Sequence, residues 1–532
     1  MDDDNLEAVH KRLKGLRERT DLSLRSTSHL KDTFTGFDGQ EHPLKLRYYQ
    51  IQGLLHLVAM KRFLLGDDTG LGKTLQAIAA LCYLWEKNPN QKAIVLTNKS
   101  AVEQWAGEFD KFTTGVKAII CKGTPAQRKK AYDLFEATLG PTVLIMGYRS
   151  AVRDIGLLQS WTDFIFITDE ATAYKTPTTQ IHQVVRHLSQ NAARTWALTA
   201  TLIKNHLIEG WGIYRVVVPG LFESTKNKFM VNYCIIRMQK IPRSNRQIPV
   251  IVGYRKTDIE RFKTRIDAYF LGRPKFTVAS DLPVLTRKVI KVDMTRAQNL
   301  KYQEALSGLL EVGTGPDADL KETTKLTQII YCQQIANHLG LIGCEGESSK
   351  LDALIELVKE GDFADEKVIV FSRFRKMIDI ICPALEKAGI GYARITGSET
   401  ETQRKVGQDA FQTQDSDTRV MCITTAGTEA VNLQAAKAVV FFDSPWSGGD
   451  YIQSVGRMIR IGSIHDRCYA IHLIANGSVD ERVMEVLHRK MKLIEAVIGK
   501  RIQGEDDDDV EIMADNDISD IFDLLQADAR GS

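Results

Sequence analysis

"LLGDDTGLGKTLQAI" (residues 64–78) runs from an apolar stretch, through a loop containing Gly70 and Gly72, into a helix-like pattern. A strand, a glycine loop and a helix in that order build an anion site. The glycines let consecutive N–H groups turn inward, and the positive end of the helix dipole lies behind them. Lys73 can reach the β- and γ-phosphates of a nucleotide, and Thr74 can hold Mg²⁺. The first glycine usual in this pattern is replaced by Asp67, and Asp68 follows it.

Outward from this loop, apolar runs alternate with helical patterns from about residue 43 to 222. The runs are "RFLLG" (62–66), "AIVLT" (93–97), "AIIC" (118–121), "TVLIM" (142–146), "FIFIT" (164–168) and "TWALT" (195–199). Unbroken apolar runs between helices predict parallel strands with both sheet faces covered. Residues 223–345 read as mostly helical and basic. A second alternating block follows over 346–500, with "KVIVFS" (367–372), "YARIT" (392–396), "RVMCIT" (419–424), "AVVFFD" (438–443) and "CYAIHLI" (468–474). Residues 1–42 read as a charged helix and a polar linker, and 501–532 as an acidic tail containing "EDDDD" (505–509). The expected fold is α/β: two parallel-sheet lobes, 43–222 and 346–500, with a helical insertion between them.

The strand "FIFIT" ends in Asp169 and Glu170. Phosphoryl transfer needs a metal near the phosphates and a water aimed in line. Asp169 suits the metal, largely through water, because Mg²⁺ keeps part of its hydration shell. Glu170 suits the attacking water. Upstream, "LRYYQIQG" (46–53) places Tyr49 and Gln50 one element before the loop, where an amide can read adenine N6 and N7. "SVGRMIRIG" (454–462) carries Arg457 and Arg460 three residues apart, on one face of a helix. Guanidinium groups suit the charge on a transferring phosphoryl.

Bulk composition is that of a globular chain, with 43% hydrophobic and 26% charged residues and a net charge of +3. The total charge does not argue for nucleic acid; local patches must. Eight scattered cysteines without Cys-x-x-Cys predict neither disulfides nor zinc. No signal peptide or membrane span is expected.

These ordered motifs resemble the Swi/Snf family of superfamily-two nucleic-acid-dependent ATPases, from about residue 43 to 500. "LRYYQIQG" resembles the adenine-reading motif and "DDTGLGKTLQ" the phosphate loop. "IVLTNKSAVEQWAGEFDKF" (94–112) resembles the next motif, with Trp105 and Phe109 matching. "TDEATAYK" (168–175) resembles the DEAH box, with Thr172 at the His position. "ALTATLIKNHLIEGWGIYRVVVPGLF" (197–222) resembles the third motif. "ITTAGTEAVNLQAAKAVVFFDSPWSGGDYIQSVGRMIRIGSIH" (423–465) resembles the fifth and sixth, Gln453 included. The family's double arginine is reduced to Arg273 in "LGRPK" (271–275). The Asp-Asp pair at 67–68 is similar to the annealing-helicase branch.

The resemblance implies RecA-like lobes, with ATP and Mg²⁺ as nucleotide and metal. Tyr49, Gln50, Asp68, Gly70, Gly72, Lys73, Thr74 and Gln453 would contact the nucleotide. Lys73, Asp169, Glu170, Arg457 and Arg460 would carry catalysis, with Thr74 and Asp169 on the metal. It implies nucleic-acid contacts at Asn98, Lys99, Ser372, Arg373, Thr425 and Trp446, and coupling through Thr172, Thr199 and Thr201. The expected activity is ATP-driven translocation on, or remodelling of, double-stranded or branched DNA in repair or replication. The alternatives are a strand-separating DNA or RNA helicase, or a catalytically weak nucleotide-binding regulator. A monomer is expected, with a protein partner for the acidic tail. The expected location is inside the cell, with the cytoplasm of a bacterial or virus-infected cell ahead of the nucleus.

Overall fold

The computed structural model describes residues 27–36, 40–240, 247–278, 283–312, 319–322, 325–425, 433–459 and 463–498. The chain divides into two compact units. One comprises 1–233, 257–278 and 497–500, and the other 234–256, 279–496 and 501–532.

The first unit holds β1 (Thr33–Thr35), β2 (Glu41–Pro43), β3 (Arg62–Leu65), β4 (Ala93–Thr97), β5 (Lys117–Cys121), β6 (Thr142–Gly147), β7 (Ile165–Asp169) and β8 (Arg194–Leu198). Strands β3 to β8 form a parallel sheet, ordered 3-8-7-4-6-5. All five residues of β4 are buried, as expected of a central strand covered on both faces. The helices Tyr48–Ala59 and Lys73–Trp85 pack on each other beside this sheet. Within the stretch read as helix and linker up to residue 42, Thr33–Thr35 pairs with Glu41–Pro43 as β1–β2, and the pair is anchored rather than loose. Phe34 meets Phe112 edge-on at 5.6 Å, and the Lys31 N–H donates to the Phe112 carbonyl at 3.0 Å.

Residues 223–345 are more than helices. They contribute β9 (Ile235–Lys240), β10 (Gln247–Gly253), β11 (Phe270–Leu271), β12 (Val284–Val292), β13 (Leu309–Val312) and β14 (Asp319–Glu322). Strand β11 adds to the edge of the first sheet beside β3. Strands β9–β10 and β13–β14 are antiparallel hairpins.

The second unit adds β15 (Val368–Phe371), β16 (Gly391–Ile395), β17 (Thr418–Ile423), β18 (Ala438–Phe441) and β19 (Arg467–Ala475). With β12 they form a second parallel sheet, ordered 12-19-18-15-17-16. Strand β12, "VLTRKVIKV", pairs with β19 residue for residue, from Val284↔Arg467 to Val292↔Ala475. It lies at the sheet edge, where lysines discourage further strand pairing. Its core includes Val368, Val370, Val420, Val440 and Ile471. Among the described residues no helix is long and apolar enough to cross a membrane. All eight cysteines are free and buried.

Candidate nucleotide site and nucleic-acid contacts

The phosphate loop leaves the C-terminal end of β3 and enters the helix Lys73–Trp85. Gly70 and Gly72 have φ of 89° and 73°, a region in which a side chain would be strained. A Cβ on Gly72 would also lie 2.6 Å from Gln50 Nε2. Lys73 Nζ donates to the Asp67 and Asp68 carbonyls, at 2.9 and 3.2 Å, so it already lies over the loop. Thr74 is half-buried, and its hydroxyl makes no hydrogen bond among the described residues.

Arg273 explains how the loop tolerates Asp67. Asp67 is fully buried. Its carboxylate receives Arg273 Nε at 2.9 Å, Arg273 Nη2 at 2.5 Å and Gln76 Nε2 at 3.1 Å. Arg273 Nη1 donates to the Tyr49 carbonyl at 2.5 Å, and the Lys275 N–H donates to Asp68 Oδ2 at 3.0 Å. The segment after β11 therefore clasps the loop from below. The sequence marks Arg273 only as the survivor of a pair; the structure makes it the counter-ion that the missing glycine requires.

Tyr49 and Gln50 are both tied to the loop and its surroundings. Tyr49 is buried, with the Arg273 guanidinium 5.5 Å from its ring centre, whereas Tyr48 is 74% exposed. Gln50 is already engaged at both ends of its amide. Nε2 donates to the Leu71 carbonyl at 3.3 Å, and Oε1 accepts from the Arg47 N–H at 2.9 Å. Tyr49 and Gln50 thus brace the loop in this structure. The cause is the close packing of the helix Tyr48–Ala59 on the helix Lys73–Trp85.

Asp169 ends β7 with its carboxylate held from three sides. Trp105 Nε1 donates to Oδ2 at 2.8 Å, Thr97 Oγ1 to Oδ2 at 3.2 Å, and the Glu170 N–H to Oδ1 at 3.0 Å. Tyr148 Oη donates to the Asp169 carbonyl at 2.6 Å. Trp105 is matched in the sequence without a role; here it orients the metal-type carboxylate. Glu170 has φ 55°, one of only two non-glycine residues with positive φ among those described. Such backbone strain clusters at functional positions. The loop, the Thr74 hydroxyl and an oriented Asp169 fit a nucleotide with Mg²⁺, which is normally bound by one or two protein groups plus phosphates.

The DEAH-like turn, Ala171–Tyr174, meets the third motif through residues other than Thr172. The Thr172 side chain makes no hydrogen bond among the described residues. Lys175 Nζ instead pairs with Glu209 Oε1 at 2.5 Å. Glu209 Oε2 accepts the Lys204 and Asn205 N–H groups at 2.6 and 3.0 Å. Burial pushes the Glu209 carboxyl up, but the Lys175 ammonium and these donors hold it below its usual value. Thr199 and Thr201 are fully buried, and Thr199 Oγ1 donates to the Thr201 carbonyl at 3.2 Å.

In the second unit, Gln453 is buried and Arg457 lies one turn later on the helix Gly448–Met458. That helix ends before Arg460: Ile459 is extended, with φ −87° and ψ 99°. The shared helical face expected for the two arginines reaches beyond the described residues. Arg460 itself, the fifth motif at 426–432 and the acidic tail lie outside the described residues.

Lys99 is exposed and Asn98 half-buried just after β4. Thr425 is exposed after β17. Ser372 is a correction: it is fully buried, donating to Asp443 Oδ2 at 2.5 Å, and cannot touch a phosphate backbone. Asp443 also accepts Asn337 Nδ2 at 3.1 Å and the Arg373 N–H at 2.9 Å. Burial raises its carboxyl above the usual range. Arg373 and Trp446 are half-buried and stacked, with the guanidinium 5.4 Å from the ring centre.

Two family matches cover most of the chain: "SNF2-related domain" over residues 49–341 and "Helicase conserved C-terminal domain" over 349–462. The chain belongs to the SNF2-related family. Its α/β lobes are those of a helicase-like ATPase that uses ATP with Mg²⁺. The chain is 27% identical over 85% of its length to Nuclear protein STH1/NPS1 of Saccharomyces cerevisiae, covering 35% of that protein. It is likewise 27% identical over 86% of its length to Chromodomain-helicase-DNA-binding protein 1-like of Mus musculus, covering 50% of that protein. It thus spans half or less of the length of these relatives. A solved structure, the Sulfolobus solfataricus SWI2/SNF2 ATPase core in complex with dsDNA, is 24% identical, covering 86% of this chain and 93% of that one, at a TM-score of 0.40. The preference for a bacterial or viral cytoplasm finds no support in these matches.

Proposed function

We propose that this protein hydrolyses ATP to translocate along, or remodel, double-stranded DNA. The observation that carries the chemistry is Asp169–Glu170 at the tip of β7: one carboxylate fixed by three donors, the next on a strained backbone, in the unit that holds the phosphate loop. Lys73 leaves the Asp67 and Asp68 carbonyls to take phosphate oxygens. Thr74 and Asp169 hold Mg²⁺, which neutralises phosphate charge when bound. Glu170 orients the attacking water, and Arg457 and Arg460 supply guanidinium charge to the transferring phosphoryl.

The DNA reading rests on family membership and on Lys99, Asn98, Arg373, Thr425 and Trp446, which suit sugar and phosphate more than base edges. Fork or branch remodelling in repair or replication is the cellular role we favour, by a monomer whose acidic tail meets a protein partner. The test is ATPase rate with duplex, forked and single-stranded DNA and with RNA, at one fixed salt concentration because backbone affinity depends steeply on salt. Duplex or forked DNA should stimulate most. Strongest stimulation by RNA would overturn the reading, and stimulation by single strands alone would favour a strand-separating helicase.

A further inference from the structure

Gln333 is 1% exposed, on the helix Lys325–Asn337 of the second unit. Its Oε1 accepts two donors: Arg373 Nη1 at 2.9 Å and Trp446 Nε1 at 3.1 Å. Its Nε2 is buried with no hydrogen-bond partner among the described residues. The amide orientation is therefore forced, because turning it over would face an NH₂ group toward two donors. One acceptor thus holds the guanidinium and the indole together, and Arg373 lies over the Trp446 ring at 5.4 Å and the Phe374 ring at 5.7 Å.

What the cluster lacks is a carboxylate on the Arg373 side chain. Asp443 takes the Arg373 backbone N–H, not its guanidinium, and also accepts Ser372 and Asn337; its charge and that of Asp450 reach Arg373 only through space. Arg373 Nε and Nη2 make no hydrogen bond among the described residues, and neither atom is sealed from solvent. A glutamate at 333 would accept the same two donors and pair with the guanidinium at closer to neutral charge. Glutamine accepts them without adding a negative charge beside the guanidinium. A buried amide with an idle donor, orienting an arginine with two idle donors, is poor structure for its own sake. It is what a site built for an external anion requires.

We infer that Gln333, Arg373 and Trp446 form a clamp for one backbone phosphate, with Gln333 as the positioning residue that sets the Arg–Trp stack and preserves its charge. The stacked guanidinium offers Nε and Nη2 to the phosphate, and the indole lies beside the adjoining sugar. This rests on the DNA reading above and sharpens it: the clamp is specific to phosphate and blind to base sequence.

The experiment is binding of a labelled short duplex to the full-length chain, by fluorescence anisotropy, across about 50–200 mM salt. Gln333→Glu keeps both hydrogen bonds but places a negative charge on Arg373. It should reduce the slope of log affinity against log salt by about one, and weaken binding at low salt about tenfold. Arg373→Ala should show the same loss of slope, and the double variant no further loss. A wild-type slope and affinity for Gln333→Glu, or additive slope losses in the double variant, would overturn the clamp. Should Gln333→Glu fail to fold, Trp446→Phe serves. It keeps the ring but removes the N–H that fixes Gln333, and should weaken binding several-fold with the slope retained; unchanged affinity would overturn the inference. Failure of the wild-type chain to bind DNA at low salt would instead sink the DNA reading itself.

Discussion

At the scale of single residues, the least expected feature is Asp67 in the phosphate loop. A fully buried carboxylate is tolerable only with a counter-ion, and Arg273 supplies three of its hydrogen bonds from N, Nε and Nη2. Removing one partner of such a pair leaves an uncompensated buried charge, which is worth about 3–5 kcal/mol. Arg273→Ala should therefore lower the thermal midpoint of the first unit markedly in calorimetry. Asp67→Gly combined with Arg273→Ala should recover much of that loss, since it removes the orphaned charge and restores the residue usual in such loops. If the double variant is no more stable than Arg273→Ala, the pair is not what holds the loop. Glu170 yields a second test at this scale. Glu170→Gln keeps the shape and the strained backbone but cannot take a proton, so hydrolysis should fall by about 10²–10⁴. Binding of a fluorescent ATP analogue should be nearly unchanged. A rate equal to wild type would place the water-activating group elsewhere.

At the scale of elements, β19 carries His472 into the core of the second unit. The ring stacks on Phe441 at 4.8 Å, and Ser444 Oγ lies 2.9 Å from Nδ1. Burial, with the nearby Arg287 charge, pushes the imidazole down from 6.5 to about 3. The folded state thus holds fewer protons than the unfolded state between those values. The stabilisation from a neutral His472 is complete above 6.5 and is lost as pH falls towards 3. Urea unfolding of the second unit between about pH 6.5 and pH 5 should weaken by up to about 1.4 kcal/mol per pH unit from this group. His472→Asn should flatten that dependence, whatever it does to absolute stability; an unchanged slope would show that other groups dominate. Elements of this kind were readily legible in the sequence. Strands such as β4 and β6 are unbroken apolar runs with no other stable use, and β15, β17 and β18 follow the same logic. Strand β12 was not legible, because alternation of apolar and basic residues over 284–292 suits an edge strand or an exposed connection equally well. Only its partner β19, nearly two hundred residues later, decides between them.

At the scale of the whole molecule, the proposed function raises the question of how ATP chemistry would be made to depend on DNA. The phosphate loop, Asp169 and Glu170 were legible because their chemistry needs fixed residue types at short spacing. The Lys175–Glu209 pair was not, because it joins side chains far apart in the chain. The sequence draws attention to Thr172 at the DEAH histidine position and gives it a coupling role through the resemblance. The structure moves the weight to Lys175 and Glu209. Their ion pair ties the β7 turn to the loop 203–205, and Gly212 packs so closely on Lys175 that an added Cβ would lie 1.8 Å from its carbonyl oxygen. A chain with threonine at 172 can keep its coupling if this pair carries it. Glu209→Gln keeps one amide oxygen for the Lys204 and Asn205 N–H groups but turns an NH₂ group toward Lys175, losing both the charge and the acceptor that face it. It should reduce the ratio of DNA-stimulated to basal ATPase rate about tenfold, equivalent to about 1.4 kcal/mol. Thr172→His, adding a ring where no hydrogen bond is made now, should move that ratio by less than about twofold, well under 1 kcal/mol on the same scale. Measuring both variants on one duplex at one salt concentration separates the routes: a large change for Thr172→His with none for Glu209→Gln would return the coupling role to the DEAH position.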